Sequence, residues 1–327
     1  MKRRAFCHAV AAVPLVASMR VSAQSRPPTV RVAWASIERA STTSPYLAAF
    51  RAGMREVGYS EGSNLTLDAW WGEGTAARLQ EQVDAIVRSQ PTVIVAQGGL
   101  ALQPLLAAEV KIPIVFGVSV DPVEAKIAQS YARPGGNATG MTFFALDLVG
   151  KRLQIMREAL PHIRRVALLA DPQHPGQNLE LAAAQAAGSA LGLQLSFFPV
   201  HSEAELEAAL AAIASGGYDA ILAFADGFTQ SYAGRIAAFS LDRRIPAVDG
   251  WSPFARQGNL MIYGPVLEDC YRRLAVYVDK IARGARPGDL PIELPTKVEL
   301  VINLRTAKAL NLVIPPAVLQ RADEIIQ

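Results

Sequence analysis

Small polar residues recur at places where apolar runs stop, and those residue types suit recognition of a small polar molecule better than bond making. They are Ser36 and Ser41 to Ser44 with Tyr46, Gln97-Gly98-Gly99, Ser119 and Asp121, Asp171, Asp226-Gly227, and Asp249-Gly250-Trp251. Hydroxyls and an amide can donate or accept, glycines let backbone N–H groups approach a ligand, and helix N-termini favour a carboxylate. Asp121, Asp226 and Asp249 could each receive an ammonium, and Trp251 could stack on a side chain. A plainer reading stands beside this one. Asp or Ser just after a strand is often only the N-cap of the next helix, above all at Asp121 and Asp171, each of which precedes a proline. Asp226 is separated from its helix by Gly227 and lies between Phe224 and Phe228, so ligand contact and capping stay open there; so do stacking and rim packing for Trp251, and function and solvation for Ser36 to Ser44.

Signals of catalysis are weak. After the first 23 residues the histidines are His162, His174 and His201, with no metal-ligand spacing, and each reads as solvated. No G-x-S-x-G elbow, phosphate-binding loop or dinucleotide fingerprint after the first strand is present. Gly135-Gly136-Asn137 reads as a turn, and Asn137-Ala138-Thr139 is a short match to a glycosylation sequon. No cofactor and no metal are expected.

The elements that must carry these loops alternate. Val30 to Ala35, Asn64 to Trp70, Pro91 to Ala96 and Pro113 to Val118 read as strands, with helices at Pro45 to Val57, Ala76 to Arg88 and Leu100 to Glu109 between them. A further helix is expected from Pro122 to Ala132, and Ala138 to Met141 as a strand. The rhythm then repeats: helices Leu148 to Leu160, Leu179 to Leu191 and Glu203 to Ala214, a helix from Gly227 through Leu241, and strands Arg165 to Ala170, Leu193 to Val200, Tyr218 to Phe224 and Ile245 to Val248. Ser202 with Glu205 forms a capping box. Short connections between alternating strands and helices imply parallel βαβ units, hence two similar α/β sheets in tandem with ligands outside the carboxyl ends of the strands. Val266 to Arg283 reads as a helix crossing back onto the first lobe, before a strand at Glu299 to Asn303 and two short helices. Repeated crossing implies a hinge.

Length agrees with two lobes, since 327 residues exceed the roughly 250 to 300 at which one core stops growing. Residues 1–23 read as a cleaved secretory leader: Lys2-Arg3-Arg4, a short apolar core from Ala9 to Ala17, and Val21-Ser22-Ala23 before Gln24. Arg3-Arg4-Ala5-Phe6 resembles a twin-arginine signal, with the general secretory route also open. The leader removes four basic residues and no acid, taking the net charge from +3 to −1, so no nucleic-acid footprint is expected in the mature chain. Cys7 leaves with it and Cys270 stands alone. Past the leader no apolar run reaches the roughly 18 residues of a membrane helix.

Three stretches carry a family resemblance: the leader MKRRAF, the run Val118 to Thr142 with S-V-D-P-V and A-R-P-G-G-N-A-T-G-M-T, and the tail LPIELPTKVELVINLRTAKALNLVIPP. They resemble the ABC-transporter substrate-binding proteins of the tryptophan and tyrosine type, over essentially the whole mature chain. The resemblance implies a type I periplasmic binding protein fold, α/β, with two Rossmann-like lobes joined by a three-strand hinge. It implies lobes of residues 29–142 plus 264–288 and of 143–263 plus 289–327, and ligand contacts in the loop after the first strand (Ser36, Ser44, Tyr46), at Gln97, Gly98 and Gly99, at Ser119 and Asp121, at Phe143-Phe144, and at Asp226. Trp251 is added as a wall against the ligand side chain. The partners implied are a small-molecule ligand, best an amino acid with aromatic ones among the candidates, and an ABC permease; the implied protein is a periplasmic monomer. Two rivals share the fold, an exported enzyme using the cleft carboxylates as acid and base, and a ligand-sensing module.

Overall fold

The computed structural model describes residues 27–40, 44–143, 145–174 and 176–327. The leader and Phe144 lie outside them.

Chain order is β1 (Val30–Ser36), α1 (Pro45–Glu56), β2 (Leu65–Trp71), α2 (Ala76–Gln80), α3 (Val83–Arg88), β3 (Val93–Gln97), α4 (Gly99–Ala107), β4 (Ile114–Val118), β5 (Ala138–Thr142) and α5 (Ala145–Ala159). Then come β6 (Arg165–Ala170), α6 (Gln177–Ala190), β7 (Gln194–Pro199), α7 (Glu203–Gly216), β8 (Ala220–Ala223), α8 (Gly227–Ser231), α9 (Ala233–Arg243), β9 (Ala247–Asp249), α10 (Ser252–Arg256) and β10 (Met261–Pro265). The chain closes with α11 (Leu267–Ala282), β11 (Val298–Asn303), α12 (Leu304–Ala309), α13 (Pro316–Leu319) and β12 (Glu324–Ile326).

These strands build two sheets. The first has the order β2-β1-β3-β4-β5 with every pairing parallel. The second has the order β12-β11-β10-β9-β8-β6-β7, parallel except between β10 and β11. Parallel strands need a covered sheet on both faces, and the sequence supplies it by period-two alternation. In β1, Val30, Val32 and Trp34 enter one core with Phe50 of α1 and Leu274 of α11, whereas Ala33 and Ala35 enter another with Leu79 and Leu102. The second sheet is likewise buried between one cluster holding Leu153 and Leu168 and another holding Leu210 and Ile236.

Crossing segments tie the two sheets together. The chain leaves the first sheet after β5, returns to it as α11, and leaves again toward β11. Segment α11 lies on α1 so closely that a Cβ at Gly53 would overlap the backbone oxygen of Arg272. Tyr59 donates to Asp279 at 2.9 Å across the same contact. Before reaching β11 the chain still runs along the first sheet's edge, where Glu293 pairs with Met141 and the Thr142 N–H donates to the Glu293 carbonyl at 3.1 Å.

Three local expectations are corrected. Residues 121–132 form successive turns, not a helix: Asp121 takes the Val123 and Glu124 N–H groups on its side chain, and Lys126 sits at φ +57°, which stops a helix after one turn. The helix expected over Ala76 to Arg88 breaks between α2 and α3, and that after Gly227 breaks at Tyr232. The short final strand β12 was not legible in the sequence. The asparagine of the sequon donates its side-chain amide to the Ile112 carbonyl at 3.1 Å, so it serves to fasten β4.

Candidate functional site

Register brings the first lobe's polar residues to one edge. Ser36, Gln97 and Gly117 are neighbours across β1, β3 and β4 at the carboxyl ends of their strands. Ser36 is buried and accepts the Glu38 N–H at 3.0 Å, which turns Glu38 back toward Gln97. Gln97 donates to Glu38 Oε1 at 2.6 Å; its own Oε1 and Glu38 Oε2 are buried atoms with no partner in the structure. Gly98 follows at φ +85°, a conformation that needs glycine, and α4 starts after it with no side-chain cap, leaving first-turn N–H groups aimed past the strand ends.

The remaining first-lobe candidates separate by role. Ser44 caps α1 by accepting the Leu47 N–H at 3.3 Å, and Tyr46 packs on Tyr271 with ring centroids 4.9 Å apart. Burial, then Glu268, Glu38 and Asp249, push the Tyr46 hydroxyl above its ordinary range. Asp121 is a turn former whose other oxygen accepts from Tyr131 at 3.0 Å.

On the second lobe a buried acidic group surrounds one guanidinium. Asp226 caps α8: its Oδ1 accepts the Thr229 N–H at 2.8 Å, and its Oδ2 accepts the Asp171 N–H at 3.2 Å. Burial pushes its pKa up to about 6. Asp249 has no solvent exposure; its Oδ1 accepts the N–H groups of Gly250 and Trp251, its Oδ2 has no partner, and burial raises it well above the carboxylate range. Arg152, the only buried Arg or Lys among the described residues, donates to the Tyr263 carbonyl at 2.8 Å and lies 3.5 Å from Glu180, with Nη2 unpartnered. Burial pushes Glu180 up to about 7 despite that arginine. The guanidinium lies against Gly250, where a Cβ would overlap it.

The lobes meet over these groups. Ser119 Oγ and His174 Nε2 are 2.6 Å apart, both residues buried. A Cβ at Gly227, beside Asp226, would lie 3.1 Å from Ile37, and one at Gly176 would lie 3.4 Å from Val120. Trp251 meets Phe143 edge-on at 6.4 Å and is buried in the first lobe's core together with Ala225. A cavity of about 340 Å³ opens beside the contact, lined by Ser119, Asp121, His174, Gln177 and Glu180 among others.

His174 corrects the expectation of a solvated histidine. Burial alone lowers its pKa to about 4, so the neutral ring holds the bond to Ser119. A base that weak is poorly matched to activating a hydroxyl at neutral pH. Of the residues singled out in the sequence, Ser36, Gln97, Gly98, Gly99, Ser119, Asp226, Asp249 and Trp251 come to the facing ends of the sheets. Ser44, Tyr46, Asp121 and Asp171 make local caps, core or turns nearby. Phe144 lies outside the described residues. Sequence reasoning missed Glu38, Arg152, His174, Gln177 and Glu180. Glu38 alone had a usable signal, as a carboxylate within a loop already singled out; Arg152 and Glu180 read as ordinary solvent-facing helix residues.

Two layered, mainly parallel sheets with polar strand ends facing each other across crossing segments define a two-lobed binding protein of the periplasmic type I fold. Residues 36–326 match the family of ABC transporter substrate binding proteins, and the chain belongs to it. A tyrosine-binding protein of Clostridioides difficile is 20% identical over 264 residues, covering 80% of this chain and 75% of that one. A conserved domain protein of Vibrio cholerae superposes with TM-score 0.84 at 27% identity, covering 91% of this chain and 99% of that one. A Streptococcus pneumoniae ABC domain in complex with L-Trp superposes equally, TM-score 0.84 at 19% identity, covering 91% and 100%. Among the described residues no helix is long and apolar enough to cross a membrane.

Proposed function

We propose that this protein captures an amino acid between its lobes and hands it to an ABC permease, acting outside the cytoplasm as a periplasmic monomer after loss of residues 1–23. The sequence bounds of 264–288 and 289–327 shift: β10 keeps Gly264 and Pro265 on the second lobe, while α11 and the edge segment through Glu293 stay with residues 29–142, and the hinge lies where the chain crosses between the lobes. The observation that carries the ligand class is the balance of buried charge: Glu180, Asp226 and Asp249 against Arg152 alone, with Asp249 Oδ2 unpartnered. A buried carboxylate without a counter-charge is costly, and a ligand ammonium offsets it. Gln97 Oε1 and Glu38 Oε2 add acceptors from the opposite lobe, while the uncapped N-terminus of α4 at Gly98-Gly99 is placed for a ligand carboxylate. Asp226 then acts through shape, holding α8 and the Asp171 backbone, and Ser119 through its bond to His174.

Binding is mechanical in consequence. A ligand touching both lobes stabilises the closed form by its differential affinity for it, and that shape is what a permease would read. No covalent step is required. A thermal-shift scan of the mature protein, refolded to remove retained ligand, tests this: amino acids should raise the melting temperature where sugars and nucleosides do not. A response confined to sugars or nucleosides, or none at all, overturns the amino-acid reading.

A further inference from the structure

Two buried carboxylate oxygens without partners lie at the carboxyl ends of strands, one on each lobe. Glu38 Oε2 follows the carboxyl end of β1, held in place because Gln97 fixes its other oxygen at 2.6 Å. Its neighbour Ile37 lies against Gly227, so this loop reaches the second lobe beside Asp226. Asp249 Oδ2 lies on that second lobe with no solvent exposure, its other oxygen fixed by two backbone N–H groups. The strands are β1 on one lobe and β9 on the other, and both carboxylates act on the Tyr46 hydroxyl through their charge. Gln97, about nine-tenths buried, adds a third acceptor without a partner.

Cations do not match these acceptors. Arg152 donates to the Tyr263 carbonyl and lies 3.5 Å from Glu180, with Nη2 unpartnered and its field also reaching Asp249, so one buried guanidinium faces Glu180, Asp226 and Asp249 together; Arg256 pairs with Glu324 at 3.0 Å and Glu268 at 3.7 Å. A neutral zwitterion brings one positive group and one negative group, so it satisfies one lobe's carboxylate and adds another anion to the group. A ligand with two cationic nitrogens satisfies both. Resting on the reading of this cleft as an amino-acid site, we propose that it selects a ligand of net positive charge, a basic amino acid, with one cationic nitrogen at Glu38 and the other at Asp249. Each nitrogen bonds a different lobe, so the side-chain charge itself helps close the cleft.

Calorimetric titration of the refolded mature protein with L-lysine, L-arginine, L-tyrosine and L-tryptophan tests the proposal, with 1,4-diaminobutane as a probe that has both cations and no carboxylate. L-Lysine or L-arginine should bind at least tenfold more tightly than the aromatic pair, and the diamine measurably. Glu38→Gln and Asp249→Asn should each weaken the basic amino acid about 100-fold, the scale on which removing one partner of a buried charge pair acts. Tight binding of tyrosine or tryptophan with no preference for the basic pair overturns the charge assignment and leaves the amino-acid reading standing. Failure of every amino acid overturns both. The wild-type ranking decides the matter even if a variant does not fold, and equal affinity of folded Glu38→Gln for the basic ligand also overturns it.

Discussion

Asp226 shows how one carboxylate can satisfy two readings at once. It lies among the ligand-facing loops, yet both of its oxygens are engaged by Thr229 and the Asp171 backbone. Asp226→Ala should therefore cost stability before it costs recognition: a helix cap is worth about 1 kcal/mol, with a further penalty for leaving the buried Asp171 N–H without its acceptor. Chemical denaturation of the ligand-free protein checks this; an unchanged midpoint would contradict the capping role. Asp249 is the converse case, with one oxygen fixed and the other free. Residue types were legible in the sequence here, because polar residues at strand ends have few alternatives. Their division of labour was not, since capping and ligand contact use the same Asp and Ser side chains. Burial of Arg152, Glu180 and His174 depends on packing between distant segments, which local spacing does not encode.

At the scale of elements, the close contact of α1 with α11 makes a second test. Gly53→Ala would drive a methyl into the Arg272 carbonyl, so the helices must separate; overpacking of this kind costs about 1 to 3 kcal/mol. The same substitution at the uncrowded Gly62, at φ +81° in a surface turn, meets no atom and carries only the left-handed backbone strain of about 1 to 2 kcal/mol. A larger loss of melting temperature at Gly53 than at Gly62 is expected, and the reverse would show that α11 is not seated as described. Alternation of strand and helix was readable from periodicity, and the return of α11 to the first lobe from the elements on either side of it. The turns at residues 121–132 escaped it because Ala125, Ile127 and Ala128 mimic a helical face, while the Asp121 side chain and the φ of Lys126 decide otherwise.

Across the whole molecule, closure couples to protons with two opposite signs. His174 ordinarily titrates near 6.5 and is lowered to about 4 when closed against Ser119. The neutral ring is favoured in the closed form, so its contribution is full above about pH 6.5 and is lost as the pH falls toward 4. Small-angle scattering of the ligand-saturated protein should show expansion on acidification across that window, and His174→Gln should lose the dependence; a compact ligand-saturated wild type down to pH 4 would contradict the latch. Glu180 and Asp226 are raised to about 7 and about 6, so their contribution is present at low pH and lost as the pH rises through those values. A cationic group arriving beside them favours ionised carboxylates and should release protons. Calorimetry near pH 6.5 in buffers of different ionisation heat should report net release on binding; net uptake would contradict the buried-acid account.

Closure around a ligand is the central claim, and small-angle scattering of the refolded mature protein before and after saturation with the tightest-binding amino acid tests it most directly. Ligand should shrink the radius of gyration to that of the structure described above, with the ligand-free protein larger. A ligand that binds at equimolar ratio and leaves the radius unchanged would contradict capture between the lobes.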